Sequence, residues 1–371
     1  MRIELYDGIG FFLLAGALSL PAVWLGATER RIRPYGLAAT AAMLVAVLKD
    51  KPISLAFLAV YFAFELALAW SMLRLASKGS VSKGLGRIHV ILAILPLAAS
   101  KVSSVTELGG FAIIGLSYMT FKAVQVIIEI GDGLIKKLDA SQYAYFLLFF
   151  PTILCGPIDR SRRFGEDADR IMPKAEYLGL LGDGVERIAY GALMKFVIGN
   201  LLVLAGTDHL YIYGVYMFFD FAGYSIMAIG LGNVFGIRTP ENFNKPYLST
   251  DMRDFWNRWH ISLSTWLRDF VFSRLLRSTM RAKLMGGDRV LQACFCLMVN
   301  MLIMGVWHGL EANYILYGLY HGVLLALTEL YQKKSKFYRK HRNEKAYKAA
   351  SWFVTMNLVM IGFEIFAGHI V

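Results

Sequence analysis

Long apolar runs, separated by short polar segments, dominate this chain. The runs of about the length that an α-helix needs to cross a bilayer, roughly 20 residues, lie at 8–26, 52–73, 290–307, 312–330 and 349–370. A shorter run at 35–48 predicts a further span. The runs at 90–100, 108–121 and 123–130 are typical of tilted, broken or re-entrant helices. We therefore expect an all-α polytopic membrane protein, organised as one domain over 1–371, with room for roughly ten or eleven spans or half-spans.

The composition favours the bilayer as the solvent of this chain. Of its 371 residues, 57% are hydrophobic and 18% are charged, whereas an average soluble domain has about 25% charged residues. These values exclude an ordinary cytosolic enzyme and a disordered chain. The three cysteines, Cys155, Cys294 and Cys296, all lie in apolar segments. They offer no disulfide framework and are too sparse for a zinc site, so we expect no bound metal.

The net charge of +12 is concentrated in the polar segments. The densest basic segment, residues 333–348, holds eight Lys and Arg residues and one acid, Glu344. Such clusters between apolar runs mark cytoplasmic loops, so we expect no nucleic-acid partner. The positive-inside rule places the loop near Arg30 in the cytoplasm and predicts an extracellular N-terminus. Basic loops also attract the anionic leaflet of the cell membrane or an acidic soluble partner.

The segment 239–272 is too polar to span a bilayer. Ser249, Thr250 and Asp251 offer a helix N-cap, and helical periodicity runs from Arg253 onward. Trp256 and His260 share one face of this predicted helix, and Asn257 lies three residues before His260. The spacing alone is compatible with an interfacial amphipathic helix as well as with a functional segment.

Two further histidines lie in apolar surroundings. Trp307 and His308 end one apolar run in the motif VWHG, and His321 lies in YGLYHG. An ionisable residue at membrane depth is a candidate functional group because its burial is costly. The residues alone leave open a second interpretation for each, a hydrogen-bonded packing residue in the core.

These motifs resemble the two signature regions of the membrane-bound O-acyltransferase family. The match consists of FWNRWHISLSTWLRDF followed, about 40 residues later, by VWHG. Other segments are similar to the branch of the family that transfers D-alanyl groups to teichoic acids: FPTILCGPIDRSRRF, FFDFAGYSIMAIG, TPENFNKPYLS and YGLYHG. They cover the core 150–322 densely, whereas the first 140 residues match in hydrophobic pattern alone.

The resemblance implies a fold and a reaction. The fold is a ring of membrane helices, with interfacial or re-entrant helices, around a central funnel and tunnel. The donor would be D-alanine, held as a thioester on the phosphopantetheine arm of a small acidic cytoplasmic carrier protein, so the chain itself would bind no cofactor. The acceptor would be (lipo)teichoic acid, reached directly or through other membrane or extracellular proteins of the D-alanylation pathway.

The resemblance also assigns residues. The characteristic histidine of the family falls on His308 and a second, more variable position falls on His260, so we expect both to be catalytic, with His308 as general base. His260 or Asn257 would orient the acceptor or polarise the thioester carbonyl. We expect substrate contacts from Asn257, Trp256, Trp307 and His321.

The segment 271–283 mixes apolar and basic side chains, as a dock for an acidic carrier protein would. The residues expected to bind the carrier are Phe272, Arg274, Leu275, Leu276, Arg277, Met280 and Arg281. The other interpretation is a cationic loop that faces anionic lipid.

Three other functions remain compatible with the sequence. One is a membrane O-acetyltransferase of the same family that modifies an exopolysaccharide. Another is a transporter or flippase, which broken helices and buried charges would suit. The third is a non-catalytic scaffold for cell-envelope assembly.

Overall fold

The structure, a computed structural model, describes residues 5–79, 81–106 and 114–370, and its contacts divide the chain into two compact units. The first unit comprises Met1–Leu193 and Gly223–Pro240, and the second comprises Met194–Ala222 and Glu241–Val371.

The all-α membrane class is confirmed. Seven helices within the described ranges are long and apolar enough to cross a membrane. They are Gly8–Ala27, Pro52–Ser77, Lys83–Ser104, Lys174–Ala205, Tyr211–Val234, Arg289–His308 and Lys345–Ala367. The run at 35–48 forms the shorter apolar helix Arg33–Leu48.

Helices α1 to α8 belong to the first unit. They are α1 (Gly8–Ala27), α2 (Arg33–Leu48), α3 (Pro52–Ser77), α4 (Lys83–Ser104), α5 (Leu116–Gly131), α6 (Ala140–Leu148), α7 (Ser161–Asp169) and α8 (Lys174–Ala192). A π-helical segment, Leu193–Gly199, continues α8 into α9 (Asn200–Ala205). Helix α10 (Leu210–Val234) begins in the second unit and ends in the first.

The remaining helices belong to the second unit. They are α11 (Met252–Arg258), α12 (Ile261–Leu267), α13 (Ser273–Arg281), α14 (Arg289–His308), α15 (Ala312–Lys334), α16 (Lys336–His341) and α17 (Lys345–Ala367).

The short runs at 90–100 and 123–130 are parts of longer helices. Helix α4 begins earlier than its apolar run because Ser82 caps it: the Ser82 hydroxyl accepts the Leu85 N–H at 3.2 Å. Helix α5 continues through Lys122, which divides the two runs in the sequence. The buried ammonium of Lys122 donates to the Phe146 carbonyl at 3.0 Å and to the Thr152 hydroxyl at 3.3 Å. Residues 107–113, which include the start of the run at 108–121, lie outside the described residues.

Glycines bring α14 and α15 into close contact. A Cβ atom on Gly305 would lie 2.4 Å from the Tyr314 carbonyl oxygen and 3.0 Å from the Gly318 Cα. Glycine is therefore required where the two backbones meet. This packing holds the C-terminal end of α14, where His308 lies, against the first turns of α15.

Candidate active site

The polar segment 239–272 folds as two short helices rather than one. Helix α11 begins at the predicted cap, where the Asp251 carboxylate accepts the Asp254 N–H at 2.9 Å. It ends at Arg258, and α12 begins at Ile261. His260 lies at the break with φ 45° and ψ 51°, in the left-handed region. The prediction of one helix from Arg253 onward is therefore wrong at this point.

Residues that precede the break in the chain stabilise it through backbone hydrogen bonds. The Asn244 N–H donates to the Arg258 carbonyl at 2.9 Å, and the Ile261 N–H donates to the Asn242 carbonyl at 2.9 Å. These bonds pair backbone groups that the interrupted helix leaves without partners. Helical periodicity carries no sign of such a tertiary contact.

The side chain of Asn242 determines which nitrogen of His260 carries the proton. Its Oδ1 accepts the Ser262 backbone N–H at 3.2 Å and the Ser262 hydroxyl at 2.7 Å, and lies 3.1 Å from His260 Nδ1. A backbone N–H can only donate a hydrogen bond, so the Asn242 atom that faces it must be the side-chain oxygen. His260 Nδ1 therefore carries a hydrogen, and Nε2 of the neutral ring holds the lone pair.

The surroundings of His260 keep its ring neutral. The side chain is 3% exposed, and its ring meets that of Phe221 edge-on at 4.8 Å. Burial and the nearby His308 lower the pKa of His260 to about 3. Near neutral pH this imidazole carries no charge, and its unprotonated Nε2 has the chemistry of an acceptor.

His308 is the last residue of α14 and is half-buried. Its ring centroid lies 5.0 Å from that of Phe366 and 6.2 Å from those of Tyr314 and Tyr317. The following Gly309 lets the chain pass Tyr314, because a Cβ there would lie 2.2 Å from the tyrosine ring. His308 lies close enough to His260 to contribute to the lowered pKa of that histidine.

Trp256 and His321 form a second contact next to this pair. The indole N–H of Trp256 points at His321 Nδ1 at 3.4 Å, so that nitrogen is the acceptor. Tyr317 lies between the two histidines, with ring centroids 4.6 Å from His321 and 6.2 Å from His308. His321 is fully buried, and Gly362 makes room for it, since a Cβ there would lie 2.4 Å from His321 Nε2.

Of the other two residues expected to contact substrate, Trp307 lies beside His308, whereas Asn257 faces outward. Trp307 is half-buried, and its ring centroid lies 4.5 Å from that of His308. Asn257 lies on the exposed side of α11. Helix α11 itself is tied to α15, because Arg253 pairs with Glu329 and Gln332 donates to Asp251 at 3.0 Å.

The segment expected to bind the carrier forms a π-helical turn, Arg268–Phe272, followed by α13. Arg277, Met280 and Arg281 are exposed, and the remaining expected residues, Phe272, Arg274, Leu275 and Leu276, are half-buried. The structure adds two exposed apolar side chains beyond α13, Leu284 and Met285. Sequence reasoning missed them because they lie past the end of the amphipathic pattern.

Sequence reasoning also missed Asn242. It lies in TPENFNKPYLS, a segment that supported the resemblance but suggested no role for any single residue. Its importance depends on a contact with a histidine 18 residues later, for which the sequence contains no periodic signal.

Comparison with known proteins identifies the family. The model of the membrane-bound O-acyltransferase family matches residues 201–368, which include Asn242, His260, His308 and His321. A teichoic acid D-alanyltransferase of Bacillus subtilis (strain 168) is 36% identical over 98% of both chains. The chain belongs to the membrane-bound O-acyltransferase family. As a member of that family it is a multi-pass membrane enzyme that transfers acyl groups to oxygen.

Other members of the family show how far the similarity extends. A teichoic acid D-alanyltransferase of Streptococcus thermophilus is 35% identical over 100% of this chain and 96% of its own length. A probable alginate O-acetylase of Pseudomonas syringae is 33% identical over 68% of this chain and 48% of its own. The similarity to the first group therefore extends well beyond the core 150–322, into the N-terminal region where the motifs were sparse.

Proposed function

We propose that this O-acyltransferase moves D-alanine from the phosphopantetheine thioester of a small cytoplasmic carrier protein towards teichoic acid. The observation that carries this proposal is the near full-length similarity to two teichoic acid D-alanyltransferases. The similarity to a probable alginate O-acetylase supports a second candidate, O-acetylation of an exopolysaccharide, but it covers about two thirds of this chain, 68%.

Acyl transfer from a thioester to a hydroxyl needs one general base. A thioester is an activated acyl donor, so the remaining task is to remove the proton of an acceptor hydroxyl as its oxygen attacks the carbonyl carbon. The carbon–sulfur bond then breaks, and the proton passes to the leaving thiolate. We assign the base to His308, since its half-buried ring at the end of α14 can be reached by substrate. A positioned general base contributes roughly 10²–10⁴-fold to the rate.

The tautomer of His260 limits its role. Because its Nδ1–H donates to Asn242, Nε2 of the neutral ring is an acceptor and cannot donate a hydrogen bond to a carbonyl. This supports a role in orienting the acceptor hydroxyl and disfavours polarisation of the thioester carbonyl. Burial and the nearby His308 keep His260 neutral, which leaves His308 to take the proton of the acceptor in this proposal.

Substrate contacts follow from the same arrangement. Trp307 lies beside the His308 ring, and Trp256, Tyr317 and His321 form a continuous buried wall next to it. Such a wall excludes water from a thioester and positions the two reacting groups.

The carrier would dock on α13 and the loop that follows it. Arg277 and Arg281 would steer an acidic protein, and the exposed Met280, Leu284 and Met285 would provide apolar contacts. The apolar residues favour a protein partner, because attraction to anionic lipid requires charge alone.

Inverted membrane vesicles from cells that carry out D-alanylation, prepared with and without this chain, test the substrate and the role of the chain. Carrier protein loaded with labelled D-alanine, L-alanine or acetate is added, and the release of carrier thiol and the label in teichoic acid are measured. We expect thiol release and labelling with the D-alanyl carrier alone. Turnover of the acetyl carrier alone would favour the exopolysaccharide O-acetyltransferase. Labelling that does not depend on this chain would favour a transporter or scaffold.

A further inference from the structure

A cavity of about 770 Å³ lies in the second unit, at the junction of α15, α16 and α17. His260, His308 and His321 do not line it, so it is separate from the candidate active site. Part of its wall is aromatic and consists of Tyr331, Phe337, Tyr338 and Tyr347. The rings contact one another: the centroids of Tyr331 and Tyr338 lie 5.6 Å apart, and those of Phe337 and Tyr347 lie 6.2 Å apart.

Two basic side chains, Arg342 and Lys348, also line the cavity. Neither has a carboxylate partner among the described residues. The two acids in the lining are both engaged: Asp251 caps α11 and accepts from Gln332, and Glu344 accepts from His341 at 2.8 Å. Because these carboxylates are engaged by other groups, Arg342 and Lys348 remain available to pair with an anionic ligand.

The cavity lies where a membrane helix begins. Helix α17 is a candidate span, and within two turns of Lys348 it exposes the large apolar side chains of Trp352, Phe353 and Val354. The basic segment 333–348 immediately precedes them. Tyrosine and lysine side chains are enriched at this level, where the headgroups of lipids meet the ends of helices.

We propose that this cavity binds an anionic phospholipid. Arg342 and Lys348 hold the phosphodiester of the headgroup, and the aromatic wall packs against the glycerol and the adjoining acyl chain. Basic pockets between membrane helices on the cytoplasmic side suit acidic headgroups, and the guanidinium fork matches phosphate oxygens. The aromatic wall favours a lipid over a free phosphate ester, which needs the charge alone.

Native mass spectrometry of the purified full-length chain in detergent tests the proposal. Phosphatidylglycerol is titrated into the wild type, the double variant Arg342→Gln/Lys348→Gln, and the matched control Arg339→Gln/Lys340→Gln. The control removes the same charge from the same basic segment at residues that do not line the cavity. The melting temperature of each variant confirms that it is folded.

We expect the affinity for the first bound lipid to fall about tenfold or more in the cavity variant and to be nearly unchanged in the control. Equal weakening in both variants, or no weakening in either, would overturn the proposal. Phosphatidylcholine should compete poorly, and equal competition would overturn the preference for an anionic lipid. Soluble glycerol phosphate should bind far more weakly than the lipid, and equal affinity would reassign the cavity to a free phosphate ester.

Discussion

The side-chain oxygen of Asn242 lies 3.1 Å from Nδ1 of His260 and fixes the tautomer of that histidine. The same oxygen accepts both hydrogen-bond donors of Ser262. One amide therefore stabilises the left-handed backbone at His260 and directs the lone pair of His260 Nε2 away from Asn242. The break between α11 and α12 thus holds His260 as a neutral imidazole that is protonated at Nδ1.

Removal of this amide should affect both stability and turnover. Asn242→Ala leaves three buried donors without their acceptor, and a buried unsatisfied group costs about 1–3 kcal/mol. We expect a lower melting temperature in detergent and a loss of acyl transfer. Asn244→Ala is the matched control, since its side chain is exposed and its backbone bond to Arg258 survives. Wild-type stability and activity in Asn242→Ala would contradict the assignment.

The pKa of His260 gives the stability of the protein a defined pH dependence. The folded value of about 3 lies below the ordinary value of 6.5, so in this window the unfolded state binds more protons than the folded state. Stability should therefore fall as the pH drops below about 6.5. The variant His260→Asn keeps a residue that tolerates the left-handed conformation. Its melting temperature should lack this part of the dependence on pH. An unchanged slope would assign the pH dependence to other groups.

A second substitution at Asn242 separates positioning from folding. Asn242→Asp keeps an acceptor for all three donors and adds a negative charge beside His260 Nδ1, which raises the pKa of the imidazole. We expect a folded enzyme. As the pH is lowered, its activity should begin to decline at a higher pH than that of the wild type. A pH–rate profile that matches the wild type would show that Asn242 acts on the fold alone.

The approach of α14 to α15 should be sensitive to a single methyl group. A Cβ on Gly305 would lie 2.4 Å from the Tyr314 carbonyl oxygen, and overpacking of this kind costs about 1–3 kcal/mol. Gly305→Ala should lower the melting temperature, whereas Gly179→Ala should not, because no atom lies within 4 Å of a Cβ at that helical position. Equal melting temperatures for the two variants would contradict the close packing.

Charge on α13 should control the affinity for the carrier protein. Arg277→Glu/Arg281→Glu should raise the KM for carrier with little change in kcat, and added salt should reduce the difference from the wild type. Both side chains are exposed, so the fold should survive. Arg339→Glu/Lys340→Glu reverses the same charge in another basic segment. If both variants raise the KM equally, net charge rather than a docking surface explains the effect.

The sequence predicted the features that depend on local pattern. Four of the five runs of spanning length form candidate spans, whereas the run at 312–330 forms α15, which is not among the candidate spans of the described helices. The cap at Asp251 follows from residue type at one position. The bounds of α4 and α5 did not follow, because Lys122 looks like an interruption until the carbonyl and hydroxyl that accept from it are known.

The candidate site shows the same limit. His260 and His308 stand out as ionisable residues in apolar surroundings, and the family resemblance assigns them a reaction. The break at His260 depends on backbone bonds from Asn242 and Asn244, and such tertiary contacts override the helical periodicity of the segment.

Single-turnover D-alanyl transfer by His308→Gln tests whether His308 is the general base, with His209→Gln, at an exposed histidine of the second unit, as the control. Carrier binding is measured on the same preparations. We expect His308→Gln to bind the loaded carrier normally and to transfer D-alanine about 10²–10⁴-fold more slowly, because the general base is lost, while the control matches the wild type. Transfer by His308→Gln at a rate near that of the wild type would contradict this assignment.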